Sequence, residues 1–266
     1  MMIKSITQSL IEHINRAWSL SHIIPGQFVT VVPPQMREGP QQPMPMPGRP
    51  DHAYASMGNY LFDTDVRLAA LDDAKRRGES DFGRHLLPRL IGECRVCAYD
   101  FSANAVPGLR DYEERAYWRD VGTIDTYYAA TMDTLGPEPR INLFNPLWPI
   151  TSSNYQGPSL RIFAGSIKNA SLGAGTVIKG GVIKNAVVRR EVMVEPGVRI
   201  EDSIVMDYVA IRRGAQLRRV IVDRYNEIGA GERIGYDSAA DRQRFHVTES
   251  GLVVIPKRIA SPRGYL

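Results

Sequence analysis

At 266 residues, 43% of them hydrophobic and 23% charged, the chain is long enough to bury one large or two ordinary cores. No apolar run approaches the roughly 18–20 residues needed to cross a bilayer, and the start carries Glu12 among polar residues, which argues against a secretory signal. A cytoplasmic protein is expected. The net charge of +4 is unevenly spread: residues 161–233 hold 13 Lys/Arg against 8 Asp/Glu, or +5, so the remaining 20 basic and 21 acidic residues sum to −1.

In chain order, a helix-like "TQSLIEHINRAW" precedes a short strand-like run, Val29–Val32, which breaks on Pro33 and Pro34. Seven of the 18 prolines then fall between Pro33 and Pro50. The next expected elements are α/β in character. "ASMGNYLF" (Ala55–Phe62) reads as a strand. "DTDVRLAALDDAKRRG" reads as a helix with Asp63 or Thr64 at its N-cap, basic residues in its last turn and Gly78 at its C-cap. "DFGRHLLPRLI" reads as a short amphipathic helix interrupted by Pro88, and "CRVCAYDF" as a strand.

Cys94 and Cys97 within that last segment form a lone CxxC. Residues three apart on a strand face opposite ways, and no second cysteine pair exists to complete a tetrahedral site. Neither a metal nor a redox role is expected. Then comes "YWRDVGT", a loop opening the helix "GTIDTYYAATMDTL". Trp118 beside Asp120 suits a sugar, the ring covering an apolar face and the carboxylate accepting hydroxyl hydrogen bonds. It equally suits a core tryptophan beside a helix cap.

The second half repeats. Leu172, Ile178, Ile183, Val188, Val194, Ile200, Val205, Ile211, Leu217, Val222, Ile228 and Ile234 recur every five or six residues. A small or β-branched residue stands two positions before most of them: Ala170, Thr176, Gly181, Ala186, Val192, Val198, Ser203, Val209, Ala215 and Val220. Residues two apart on a strand share a face, so each unit offers two inward side chains and a turn. A period of 3.6 fits none of this. Hexapeptide units of this kind stack into a parallel β-helix, expected here to be left-handed, and twelve units at three per coil give about four coils. Many such β-helices are acyltransferases with a histidine base between coils. The five histidines here are His13, His22, His52, His85 and His246, none of them in the repeat, so that chemistry is not expected.

"ASMGNYLF", "DFGRHLLPRL", "YWRDVGTIDTYY" and "NLFNPLWPI", in this order and followed by a hexapeptide β-helix, resemble the ADP-glucose pyrophosphorylases, or glucose-1-phosphate adenylyltransferases, of glycogen and starch synthesis. The end of the chain, from "LRRVIVDRYNEIGAGERIGYDS" to "LVVIPK", is similar as well. The resemblance implies a Rossmann-like nucleotidyltransferase domain ahead of the β-helix. It implies a reaction of ATP with glucose 1-phosphate to give ADP-glucose and pyrophosphate, assisted by Mg²⁺ and driven by electrostatic stabilisation of the triphosphate. Matching positions suggest Ser56, Tyr60, Asp81, Phe82, Trp118 and Asp120 for the glucose 1-phosphate side of the pocket.

The family's glycine-rich GGxGTRLxPLT loop, its metal-binding aspartate and its phosphate-gripping lysine have no counterpart in these 266 residues. The proline tract after "PPQMREG" resembles a family loop joined to a distant strand by an internal deletion. The expected organisation is therefore a remnant of the nucleotide-binding half (1–40), a sugar-phosphate-side α/β segment (41–150), the β-helix (151–258) and a tail (259–266). No catalytic residue, metal ligand or bound cofactor is expected in this chain, and its intrinsic activity is doubted. The alternatives are a non-catalytic regulatory or assembly subunit, joining copies of itself or a full-length relative through the β-helix, and a truncated product without function. Family members respond to phosphorylated sugars, and Arg212, Arg213, Arg218, Arg219 and Arg224 are candidates for such anions, because guanidinium matches phosphate bidentately. Nucleic acid is not an expected partner, since the basic residues alternate with acids in sequence and lack an aromatic platform.

Overall fold

The computed structural model describes residues 45–46, 49–53, 59–97, 101–150, 155 and 157–257, with 45–46, 49–53 and 102 described by their backbone alone. Two compact units divide at residue 104, one running from 34 to 104 and the other containing 105–266. Residues 105–150, which sequence grouping attaches to the preceding α/β segment, pack with the β-helix.

In the first unit, β1 (Pro45–Met46) pairs antiparallel with β2 (Arg49–Ala53). Helix α1 (Thr64–Arg77) starts at Asp63, whose carboxylate accepts from the Asp65 and Val66 amides, and it stops at Gly78 in the left-handed region. The segment after it does not form one helix. Pro88 has no N–H and crowds the carbonyl four residues back; the preceding turn, Phe82–Leu86, widens to a π-turn before α2 (Leu87–Glu93) begins, with Pro88 in its first turn. Ala70 and Ala74 of α1, small enough for close approach, bury against Leu86 and Leu90. Arg89 bridges Glu79 (2.5 Å) and Asp73 (3.3 Å), tying the two helices at their polar ends.

Two expected strands are corrected where they fall on described residues; 98–100 of the second lie outside them. Residues 59–62 form no ladder, while 54–58 lie outside the described residues. Cys94 caps α2, donating its N–H to the Leu90 carbonyl at 2.8 Å, and residues 95–97 are irregular. The apolar alternation read as a strand instead lets Cys94 pack against the helix pair.

The second unit opens with loops leading into α3 (Ile124–Met132), whose N-cap Thr123 forms a reciprocal capping box with Thr126. The solenoid follows as β3 (Arg161–Ile162), β4 (Ser166–Leu172), β5 (Val177–Ile178), β6 (Gly181–Val188), β7 (Met193–Val194), β8 (Val198–Val205), β9 (Ala210–Ile211), β10 (Gln216–Arg218), β11 (Val220–Val222), β12 (Glu227–Ile228) and β13 (Arg233–Ile234). All of its rungs pair in parallel.

The register resolves the repeat into three inward files: Ile162–Ile178–Val194–Ile211–Ile228, Ile167–Ile183–Ile200–Leu217–Ile234, and Leu172–Val188–Val205–Val222–Ile255. A coil therefore takes 16 or 17 residues, which is why the sequence spacing mixes fives and sixes. Interior members of the files are essentially without exposure. Where the companion position is polar, it is satisfied: Thr176 Oγ1 donates to the Arg189 carbonyl (2.6 Å) and accepts from the Val192 amide (3.2 Å), and Ser203 bridges the Glu201 carbonyl and the Val220 amide in the same way.

The corners need left-handed backbone. One corner uses Asn169, Asn185, Asp202 and Arg219 (φ +46° to +55°), another Gly175, Glu191, Tyr208 and Tyr225, and the third Gly197, Gly214 and Gly231. Asparagine and aspartate tolerate this conformation and here add a ladder: Asn169 Nδ2 donates to Asn185 Oδ1 (2.9 Å), and Asn185 Nδ2 donates to Asp202 Oδ1 (2.6 Å). Tyr208 and Tyr225 stack at 5.1 Å with rings 2° apart.

Beyond Ile234 the chain leaves the coil for α4 (Ser238–Arg244) and the antiparallel pair β14 (His246–Val247) and β15 (Val253–Ile255). β15 then returns as a fifth rung beside β11. Helix α3 covers one outer face, with Ile124, Tyr127, Tyr128 and Met132 against Ile204, Met206, Ile221, Leu252 and Val254. It is pinned at its middle by Tyr128 Oη donating to the Asp202 carbonyl (2.8 Å) and at its first turn by Asp125 accepting from Ser250 (2.6 Å) and Thr248 (3.0 Å).

Candidate functional site

The sugar-side candidates fall into both units. In the first, Tyr60, Asp81 and Phe82 come together. The Tyr60 and Phe82 rings stack at 6.2 Å and 20°, with Phe62 set obliquely against both. Asp81 is the N-cap of the π-turn, and its Oδ1 accepts from the Arg84 amide at 2.8 Å. A side chain at Gly83 would stand 3.6 Å from Asp81 Oδ1 and 3.7 Å from the Tyr60 hydroxyl, so a carboxylate and a phenol converge over that glycine. This is a small cluster of stacked rings and two polar atoms. Ser56 lies outside the described residues.

In the second unit, the two structural alternatives for Trp118 and Asp120 lose ground. Trp118 is 39% exposed, so it is no core residue. Asp120 does not cap α3, a role taken by Thr123; it bonds the Gly122 amide at 3.0 Å and otherwise faces solvent. The loop is held rigid from behind. Arg119 forms a two-pronged pair with Glu114, reaches Asp133 at 3.4 Å and lies over the Tyr117 ring at 4.4 Å. Tyr117 in turn donates to Asp133 at 3.1 Å. Hydrogen bonding from Arg119 holds the Glu114 carboxyl below the usual range, while burial, then the bond to Asp133, pushes the Tyr117 phenol up to about 12. Arg119 is thereby a support for its two neighbours.

Two residues that sequence reasoning passed over secure this region. Buried Glu113 accepts from the Arg110 and Asn142 amides, both at 2.9 Å, and buried Asn145 donates to the Pro107 carbonyl at 2.8 Å while accepting from the Leu147 amide. The two asparagines of "NLFNP" were the available signal, since asparagine bonding its own backbone two residues on marks a turn. Here they clamp loops 29 and 38 residues apart.

The five arginines are spread over the solenoid, with Arg218 on strand β10 and Arg219 at the corner that follows it. Arg212 is shared between Glu195 (3.0 Å) and Glu227 (2.8 Å), with Arg213 beside it donating its backbone N–H to Glu195. Arg224 is buried, its Nε 3.2 Å from the fully buried Asp207, which also takes Arg189 at 2.9 Å. Arg218 and Arg219 are exposed; the first lies over the Tyr236 ring at 4.6 Å, and the second donates to the Ser250 carbonyl at 3.1 Å. The fold does not gather them around one small anion.

Among the described residues no three His, Cys, Asp or Glu side chains converge as a metal site, and no helix is long and apolar enough to cross a membrane.

Comparison with known proteins matches residues 34–136 to the nucleotidyl transferase family and residues 161–255 to the GlmU-like C-terminal hexapeptide family. Over 222 residues the chain is 46% identical to a glucose-1-phosphate adenylyltransferase of Thermodesulfovibrio yellowstonii, covering 83% of this chain and 54% of that protein. It is 40% identical to one from Anaeromyxobacter (80% and 54%) and 38% identical to one from Corynebacterium jeikeium (85% and 56%). The chain thus spans about half the length of these relatives. The two matched domain types, with 46% identity to one such enzyme over 83% of the chain, make this chain a homologue of the glucose-1-phosphate adenylyltransferases.

Proposed function

We propose that this chain is a member of its family that keeps sugar-side and assembly elements of glucose-1-phosphate adenylyltransferase but does not transfer an adenylyl group unaided. The observation that carries this reading is a mismatch. Identity extends over 83% of the chain, yet the 266 residues contain no glycine-rich triphosphate loop of the kind the resemblance implies. Adenylyl transfer needs its charge-stabilising donors fixed around the triphosphate. A pocket with hydroxyl acceptors and ring walls alone binds the sugar's neutral end and leaves the developing charge unmet.

Tyr60, Asp81 and Phe82 in the first unit, and Trp118 and Asp120 in the second, carry chemistry suited to sugar hydroxyls, and Ser56 is assigned with them by resemblance. ATP and Mg²⁺ belong to the family's reaction. The described residues offer no cluster fit for the cation, and no step through it is assigned to this chain.

The partner proposed is another β-helix chain, either a second copy or a full-length relative, because hexapeptide β-helices commonly assemble. Phosphorylated sugars are proposed to act on that assembly. The test is pyrophosphate release from ATP, Mg²⁺ and glucose 1-phosphate, first by this chain alone and then mixed with a full-length adenylyltransferase. Silence alone, with an altered effector response in the mixture, supports the reading. Turnover by the chain alone would refute it.

A further inference from the structure

The β-helix sorts charges that alternate in sequence. With a coil of 16 or 17 residues, outward positions on the face formed by β10, β13 and the first halves of β4, β6 and β8 line up in two files. The register gives Lys168–Lys184–Glu201–Arg218 in one and Val182–Arg199–Gln216–Arg233 in the other. Lys168, Lys184, Arg199, Arg218 and Arg233 are all exposed. One carboxylate, Glu201, shares the files, and it is engaged by Arg199 at 2.8 Å. The other acids interspersed with these cations in sequence lie elsewhere: Glu195 and Glu227 with Arg212, Glu191 with Tyr155, Glu232 with Arg244, Asp207 and Asp223 buried, and Asp202 in a corner ladder.

Rungs are about 4.8 Å apart, and the two files are about 6.7 Å apart along each strand. The cations therefore follow a zigzag with steps of roughly 5–8 Å over some 19 Å of a flat, rigid sheet. Such a lattice fits an extended chain of repeated negative charges rather than a compact one. Three of the five cations are arginines, whose planar fork favours phosphate oxygens. The aromatic ring at this face, Tyr236, is flanked by Arg218 at 4.6 Å and Arg233 at 4.9 Å, so it offers no open platform for a base.

We propose that this face binds a linear phosphate polymer without bases, inorganic polyphosphate, along the solenoid axis. The contact is backbone-like and electrostatic, and its strength falls steeply with salt, as for other multi-phosphate contacts.

The probe is end-labelled inorganic polyphosphate titrated with the full chain and followed by fluorescence anisotropy. Saturable binding at low salt is expected, weakening by about tenfold or more between 50 and 200 mM salt. Lys184→Glu with Arg218→Glu should weaken it by about fivefold or more, whereas Lys179→Glu, an exposed lysine on a different face, should change it by less than about twofold. Glu201→Gln removes the face's carboxylate and should tighten binding by about twofold or more, an arm that a merely damaged protein cannot mimic. No saturable binding, equal weakening by Lys179→Glu, or equally tight binding of poly-glutamate or oligothymidylate would each overturn the proposal.

Discussion

The asparagine ladder can be tested by changing one atom. Asn185 sits at φ +49° and links two coils through its amide, accepting from Asn169 at 2.9 Å and donating to Asp202 at 2.6 Å. Asn185→Asp keeps the tolerance for left-handed backbone and the acceptor toward Asn169. It replaces the donor toward Asp202 with a second carboxylate. Two unit charges about 3 Å apart at this half-buried corner repel by about 1.5 kcal/mol at the water limit and more where screening is weaker. The lost hydrogen bond adds about 1 kcal/mol, so a loss of about 2–3 kcal/mol is expected at pH 7. Arg219, the next rung of the same corner, limits the upper end. The sign with pH follows from linkage. The folded variant's new carboxylate pair holds a proton to higher pH than the unfolded chain does. The penalty is therefore small in acid and grows as pH rises through the raised value. Asn185→Gly loses both hydrogen bonds but adds no repulsion, so its cost should change little between pH 5 and pH 7. Urea unfolding followed by far-ultraviolet circular dichroism, at pH 7 and pH 5, measures both variants against the parent. A loss for Asn185→Asp equal at the two pH values, or smaller than that of Asn185→Gly at pH 7, would sink the ladder as a source of stability.

Ile200→Ala, in the middle of a fully buried file, should cost about 3–4 kcal/mol in the same urea assay. Ile162→Ala, half exposed on the first rung, should cost less than about 1 kcal/mol. The Glu195 carboxyl is held low by the Arg212 hydrogen bond and then by the Arg213 amide; its stabilisation is present above the usual glutamate value of about 4.3 and is lost as pH falls below it. Glu195→Gln should therefore flatten the acid limb of the urea midpoint against pH. Tyr128→Phe removes the 2.8 Å bond to the Asp202 carbonyl and should speed hydrogen exchange in Ile124–Met132, with the solenoid strands left protected.

What the sequence made legible was periodic, and what it hid depended on neighbours far along the chain. Ile183 or Val205 could be placed in the core because a β-helix repeats one local decision, two inward residues and a turn, at nearly fixed spacing. The caps of α1 were equally local: Asp63 and Gly78 act within four residues of themselves. Cys94 caps α2 instead of opening the expected strand, because alternation over so short a run also suits an irregular segment leaving a helix. Pro88 announced an interruption, yet whether the chain would break or widen to a π-turn depended on the packing of Leu86 against α1. In the candidate site, Trp118 and Asp120 were visible as chemistry, whereas Glu113 and Asn145 were not, since their partners stand 29 and 38 residues away.

The same periodicity bears on how the β-helix supports the candidate site. In a solenoid each coil rests on its neighbours alone, so stability is close to a sum over adjacent rungs. Here the three files run unbroken from the first coil, two of them ending at Ile228 and Ile234, while the third is carried on to Ile255 by the returning β15. Helix α3, which follows directly from the Trp118–Asp120 loop, is fastened to this scaffold by Tyr128 and Asp125 as well as by apolar burial. That loop can therefore hold its shape without any triphosphate site. On the reading proposed above, this loop and the β-helix stay folded whether or not an adenylyl group is transferred. Charge reversal on the face formed by β10 and β13 is accordingly expected to alter anion binding and leave the buried files intact.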